Sequence, residues 1–126
     1  MKLTQNSKNH FYNNIDGYDV PREYSDAIYH YLVYGLEPGG FFTALLANDF
    51  VGAMGRSHPN NSIQGLKNLV TWMVNELPRG VAWGSYEVVN GWLATSPEDR
   101  RKILEIRRLV YTEQDEIIMI LKGEKV

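Results

Sequence analysis

Apolar positions recur along most of this chain at three- and four-residue steps, the spacing of one helical face, and nowhere with the two-residue alternation of a half-buried strand. The stretch Gly35 to Trp92 organises the rest, and within it the run Gly39 to Met54 predicts one helix. Gly35 supplies a left-handed stop for the element before it, and Pro38 suits a first helical turn. On a continuous helix Phe42, Leu45, Leu46, Asp49, Phe50 and Ala53 share one face, while Asn48 lies with Phe41, Leu45 and Gly52 on an overlapping one. Such a helix belongs at the centre of the domain, with Asp49 inside an apolar stripe. A carboxylate there must find hydrogen-bond donors or give up its charge, whether its role is structural or part of a site.

The flanking segments extend the helical pattern. Residues 1–18 are polar and Asn-rich, with Phe11, Tyr12 and Ile15 as anchors, and predict a loose N-terminal arm. Asp19-Val20-Pro21 starts a helix in which Tyr24, Ala27, Ile28, Tyr31 and Leu32 recur, ending at Gly35. Gly55 to Asn61 is a turn, and Asn60, Asn61 or Ser62 caps a helix carrying Ile63, Leu66, Val70, Met73, Val74 and Leu77, widened by Leu69 and Trp72 and ended by Pro78. Ser85, with Glu87 in the first turn, opens a short helix with Val88, Val89, Trp92 and Leu93.

Ser96-Pro97-Glu98-Asp99 is the strongest helix start in the chain. Beyond it Ile103, Ile106, Val110, Ile117 and Ile120 keep a heptad-like spacing that Glu113 interrupts. Either one helix runs to about Lys122 or Thr112 begins a second, and the run Ile117 to Leu121 fits helix or strand alike. An apolar run so near the terminus needs a cover, which a partner subunit can supply. The expectation is a compact all-α single domain of about five helices, with residues 1–18 as arm, 19–93 as helical core and 96–122 as a C-terminal segment able to mediate homo-oligomerisation.

Composition narrows the function. The 126 residues, 44% of them hydrophobic, suffice for one modest core. A net charge of −2 disfavours nucleic acid as the main partner, and the lack of cysteine excludes disulfides and thiolate metal sites. No apolar run approaches the roughly 20 residues of a membrane span, and Met1 to Asn6 lacks the apolar core of a secretion signal. A soluble, cytoplasmic protein without membrane partners is expected.

No metalloprotease His-Glu-x-x-His, phosphate loop or nucleophile elbow is present, and His10, His30 and His58 are scattered without ligand spacing. No catalytic residue, cofactor or metal is therefore assigned. A hydrolase or lyase built on Asp49 and His58 survives only because catalytic groups can converge without a linear motif. Binding has better candidates. Gly39 and Gly40 leave amide hydrogens open at a helix start, where the dipole favours an anion. Arg56 and His58 lie in the loop at the other end of the same helix, and Arg79 and Trp83 in the next loop. If neighbouring helices are antiparallel, Arg79 and Trp83 fall at the Gly39–Gly40 end, a pocket for a small nucleotide-like anion, with Tyr31 or Tyr34 available for stacking. Trp83 can equally plug the core. The aromatic hydroxyls of Tyr29 and Tyr34 suit a planar ligand or a partner, and the cluster Arg100, Arg101, Lys102, Arg107 and Arg108 reads as a solvated face paired with Glu98, Asp99 and Glu105.

The wording Pro38-Gly39-Gly40-Phe41, Asn48-Asp49-Phe50, Asn75-Glu76-Leu77-Pro78, Trp83-Gly84-Ser85 and Trp92-Leu93 resembles a group of small uncharacterised helical proteins carried by bacteriophages and prophages. The resemblance spans about Tyr31 to Leu93 and implies an accessory gene whose product acts by binding: sequestering a defence signal, or blocking a host enzyme through the C-terminal helix and exposed tyrosines. A non-enzymatic anti-defence protein that captures a small anionic ligand is the expectation, with a host-protein inhibitor as the alternative.

Overall fold

The computed structural model describes residues 2–58 and 61–123; Pro59 and Asn60, the latter one of the cap candidates, lie outside the described residues. Eight helices are described: α1 (Gln5–Asp16), α2 (Arg22–Tyr34), α3 (Gly40–Leu46), α4 (Phe50–Arg56), α5 (Ile63–Glu76), α6 (Tyr86–Ala94), α7 (Pro97–Ile106) and α8 (Glu113–Leu121). No strand occurs among the described residues. The all-α expectation holds, but the described helices exceed five because the expected arm is helical and both the expected central helix and the C-terminal segment break in two.

The N-terminal arm is a helix. Thr4 accepts from the Ser7 amide as its N-cap. Ser7, Phe11, Tyr12 and Ile15 then stack on one side, all buried, so the three expected anchors carry a full helix into the core. Phe11 meets Tyr29 at 5.2 Å and Trp72 at 5.9 Å, both edge-on. Asn14 adds a polar tie, accepting from the Trp72 indole at 2.7 Å. Around this contact gather Ile28, Tyr31 and Leu32 of α2, Leu69 and Met73 of α5, Trp92 of α6 and Leu104 of α7, each at most 1% exposed.

The expected central helix is two helices. Asn48 adopts φ 61°, the left-handed conformation that ends a helix. The amides of Asn48 and Asp49 bond back to the carbonyls of Leu45 and Ala44, closing α3 in a Schellman arrangement. Asp49 then caps α4, its carboxylate accepting from the Gly52 amide at 2.9 Å. Asp49 is therefore a partly exposed cap, not a charge inside an apolar stripe, and α4 folds back against α3. The C-terminal segment also breaks: Arg108 takes φ 58° after α7, and Thr112 caps α8, accepting from the Asp115 amide. Residues 113–121 are thus helix, the restart at Thr112 rather than one long rod.

Two of the arginines expected on a solvated face are buried, for different reasons. Arg100 donates to the carbonyls of Val33 and Thr95, placing a cation at the C-terminal ends of α2 and α6, where the helix dipoles are negative. Gly35, at φ 64°, makes room: a Cβ there would lie 2.7 Å from the Arg100 guanidinium. Arg101 donates to Glu105 at 2.8 Å and to Glu116 at 2.7 Å, and Glu116 also accepts from the Thr4 hydroxyl at 2.9 Å. That network ties both ends of the described chain to α7. Arg107, exposed, donates to the carbonyls of Glu76 and Asn75 at the end of α5.

Two apolar spacings point outwards. On α5 the core face is Leu69, Trp72 and Met73, whereas Ile63 is 85% and Val74 58% exposed. Ile106 on α7 is exposed while Val110 is buried. No described helix is long and apolar enough to cross a membrane.

Candidate functional site

The break at Asn48–Asp49 decides what the glycine pair meets. Because α4 doubles back along α3, Arg56 does not remain at the far end from Gly40 but lies across it; a Cβ on Gly40 would stand 3.1 Å from Arg56 Cδ. The guanidinium donates to the Gly52 carbonyl at 3.1 Å. Beside it opens a shallow cavity of about 240 Å³ lined by Glu37, Gly39, Gly40, Thr43, Arg56 and Tyr86. Three predicted residues, Gly39, Gly40 and Arg56, meet there, joined by three that the sequence reading missed.

Tyr86 reaches this cavity from the first position of α6, set there by the Ser85 cap, and donates its hydroxyl to Asp49 at 2.6 Å. That hydrogen bond, followed by the Gly52 amide and the nearby Arg56 charge, holds the Asp49 carboxyl below its usual range. Asp49 in turn pushes the Tyr86 phenol upward. The carboxyl is thus held ionised and the phenol neutral at neutral pH. Asp49 works as a helix cap with a phenol on it.

The other predicted ligands go elsewhere. Tyr31 is fully buried, its hydroxyl donating to the Ala82 carbonyl at 2.8 Å, so it cannot stack on a bound molecule. Tyr34 is exposed but packs against Tyr29 and His30 on the outer face of α2. Trp83 is buried and donates to the Leu77 carbonyl, with the Arg79 guanidinium over its ring at 5.5 Å. The neighbouring Gly84 amide donates to the Leu46 carbonyl at 2.8 Å, pinning this loop to the end of α3 opposite Gly40. Trp83 plugs, and the single converged pocket does not form. The expected display of tyrosines shrinks as well: Tyr12, Tyr24, Tyr29 and Tyr31 are core residues.

What the Trp83 loop does line is an apolar cleft. Leu45, Asn48, Phe50, Val70, Met73, Val74 and Trp83 surround a cavity of about 110 Å³ between α3, α4 and α5. Its rim is unusually uncovered: Phe50 is 71% exposed and Val74 58%, with Val70 beside them. Phe50 and Met54 are one turn apart on α4, and Ile63, Val70 and Val74 share a face of α5, so the exposed side chains continue along both helices. Neighbouring exposed apolar side chains of this kind are a common feature of protein contact surfaces. The sequence signal for it is the Asn-Asp pair, because once the helix is broken there, Phe50 and Val51 begin a new helix whose outer face is apolar.

No group of three or more His, Cys, Asp or Glu that could hold a metal ion occurs among the described residues. No family model, curated protein or solved structure matches the chain.

Proposed function

We propose that this chain is a non-enzymatic binding protein whose partner is another protein, held on the apolar face shared by α4 and α5. The reading rests on one observation: the cleft floored by Trp83, Met73 and Leu45 and rimmed by exposed Phe50, Val70 and Val74. A floor of buried Trp83 and Met73 and half-buried Leu45, with an uncovered apolar rim, suits an amphipathic helix laid into a groove, with one or two side chains as anchors. The resemblance to phage-borne proteins supports a host protein as the target and an anti-defence role for its capture.

A tagged form incubated with bacterial lysate tests this. One protein should be retained stoichiometrically, its recovery should fall at least about tenfold in Phe50→Asp/Val74→Asp, and Arg56→Ala should leave it unchanged. Retention indifferent to the double substitution would overturn the proposal.

A second reading is capture of a small anion, supported by the Arg56 guanidinium lying open beside Thr43 and Gly40. Glu37 on the same cavity opposes it, and about 240 Å³ falls below the roughly 300 Å³ at which sites for drug-sized ligands begin. Calorimetry with cyclic and ADP-ribose-type nucleotides separates the two. Heat that disappears in Arg56→Ala favours anion capture; none with any nucleotide removes it.

A further inference from the structure

We infer that the partner segment held in the cleft between α4 and α5, on the reading proposed above, is an acidic amphipathic helix whose apolar stripe enters the cleft and whose carboxylates meet Lys67 and Arg79. Apolar contact alone leaves the partner's polar face undefined; the charges that border the cleft define it. On α5, Lys67 stands one turn from both Ile63 and Val70, on the outer edge of their exposed stripe, and is itself exposed. Beyond the other end of that stripe Arg79 is exposed, with its guanidinium 5.5 Å from the centre of the Trp83 ring that floors the cleft.

Both cations lack a carboxylate of their own. Among the described residues neither forms an ion pair, and no carboxylate lines the cleft. The two carboxylates nearest in sequence to its lining are engaged elsewhere. Asp49 accepts from the Gly52 amide and the Tyr86 hydroxyl, and Glu76 accepts from Asn14 and Tyr18. A chain with 15 acidic and 13 basic residues therefore sets two positive groups at the edge of an apolar cleft. A partner that dehydrates this edge must bring opposite charge to offset the lost hydration, and a basic helix would be repelled by it.

Spacing sets the size of the occupant. From Lys67 to Glu76 helix α5 rises about 14 Å, and Arg79 lies past that end. A helix of about three to four turns laid along α5 reaches both cations, with Val70 and Val74 between them. Its carboxylates flank the apolar stripe near the two ends.

Fluorescence anisotropy of two synthetic amphipathic helices against the full chain tests the inference. Each has about 18 residues and the same leucine stripe, one with glutamate flanks and the other with lysine flanks. The acidic peptide should bind at least about fivefold more tightly at low salt, and the difference should shrink at about 0.5 M salt. In Lys67→Glu/Arg79→Glu the preference should invert. Phe50→Ser/Val74→Ser, which changes no charge, should weaken the acidic peptide at least about tenfold. Equal binding of the two peptides, a preference unchanged in Lys67→Glu/Arg79→Glu, or no binding of either at about 1 mM would overturn the acidic assignment, leaving the cleft to be judged by the lysate retention above. Acidic-peptide binding indifferent to Phe50→Ser/Val74→Ser would overturn the cleft reading and this inference together. Circular dichroism of each variant separates loss of binding from loss of fold, since all four positions are exposed.

Discussion

The first and last helices reverse each other. Helix α1, Gln-Asn-Ser-Lys-Asn-His-Phe-Tyr-Asn-Asn-Ile-Asp, is polar by composition yet sends Ser7, Phe11 and Ile15 into the core, all at 0% exposure. Helix α8, Glu-Gln-Asp-Glu-Ile-Ile-Met-Ile-Leu, is apolar by composition yet buries only Glu116. Composition thus misleads at both ends. Spacing decides at α1, where Ser7, Phe11 and Ile15 stand four apart and line up on one face. At α8 a specific partner decides, because Arg101 lies buried on α7 and requires a carboxylate. The apolar stripe of α8 is left exposed, as is the outer face of α4 and α5.

Phe11→Ala breaks this contrast most severely. It removes a fully buried ring from between Tyr29 and Trp72 and should cost about 3–5 kcal/mol in denaturant unfolding. Glu116→Ala comes next: it removes the nearest buried carboxylate from Arg101, which keeps Glu105 at 2.8 Å, the Tyr111 carbonyl at 3.4 Å and the exposed Glu113 at 3.9 Å, and should cost about 2–3 kcal/mol. On the same helix Ile117→Ala, which an apolar-core reading would rank higher, should stay within about 0.5 kcal/mol.

Alkaline pH sharpens the contrast through α1. Burial, then the hydrogen bond to Asp26, raises the Tyr12 phenol above its ordinary value, and burial alone raises Tyr31. A raised folded-state pKa means stabilisation that is complete below the unfolded value of about 10 and is lost as pH rises through the folded one. Unfolding midpoints should therefore fall between about pH 9 and pH 12, and ultraviolet titration should show the buried tyrosines ionising only as the fold opens. The smallest effect is local. In Tyr86→Phe the Asp49 carboxyl, followed by NMR, should move up toward its ordinary value while the helix content is unchanged, because Gly52 still satisfies the cap.

The sequence made the all-α class legible, together with the Gly35 stop and the Ser85 and Ser96 caps, because each is a local event of one or two residues; it left Ser62 as one of three cap candidates for α5. The α3–α4 break was equally local, written as a left-handed Asn followed by a capping Asp, but the apolar periodicity running through it is indifferent to a stop and restart. The site was harder to read. Arg56 meets Gly40 only because α4 reverses, and Tyr86 reaches Asp49 across 37 residues. No linear spacing encodes either meeting. A helix of four turns would bring Arg79 and Trp83 to the Gly40 end; with α3 only seven residues long, their loop is pinned to its opposite end.

The functional account depends on which apolar side chains water reaches. Residue-resolved carbene labelling of the native protein in dilute solution reads that directly. Heavy labelling at Phe50, Val74, Ile117 and Leu121, with Phe11, Ile15 and Trp72 protected, is the predicted result. Protection of Ile117 and Leu121, or labelling of Phe11 as strong as that of Phe50, would contradict it.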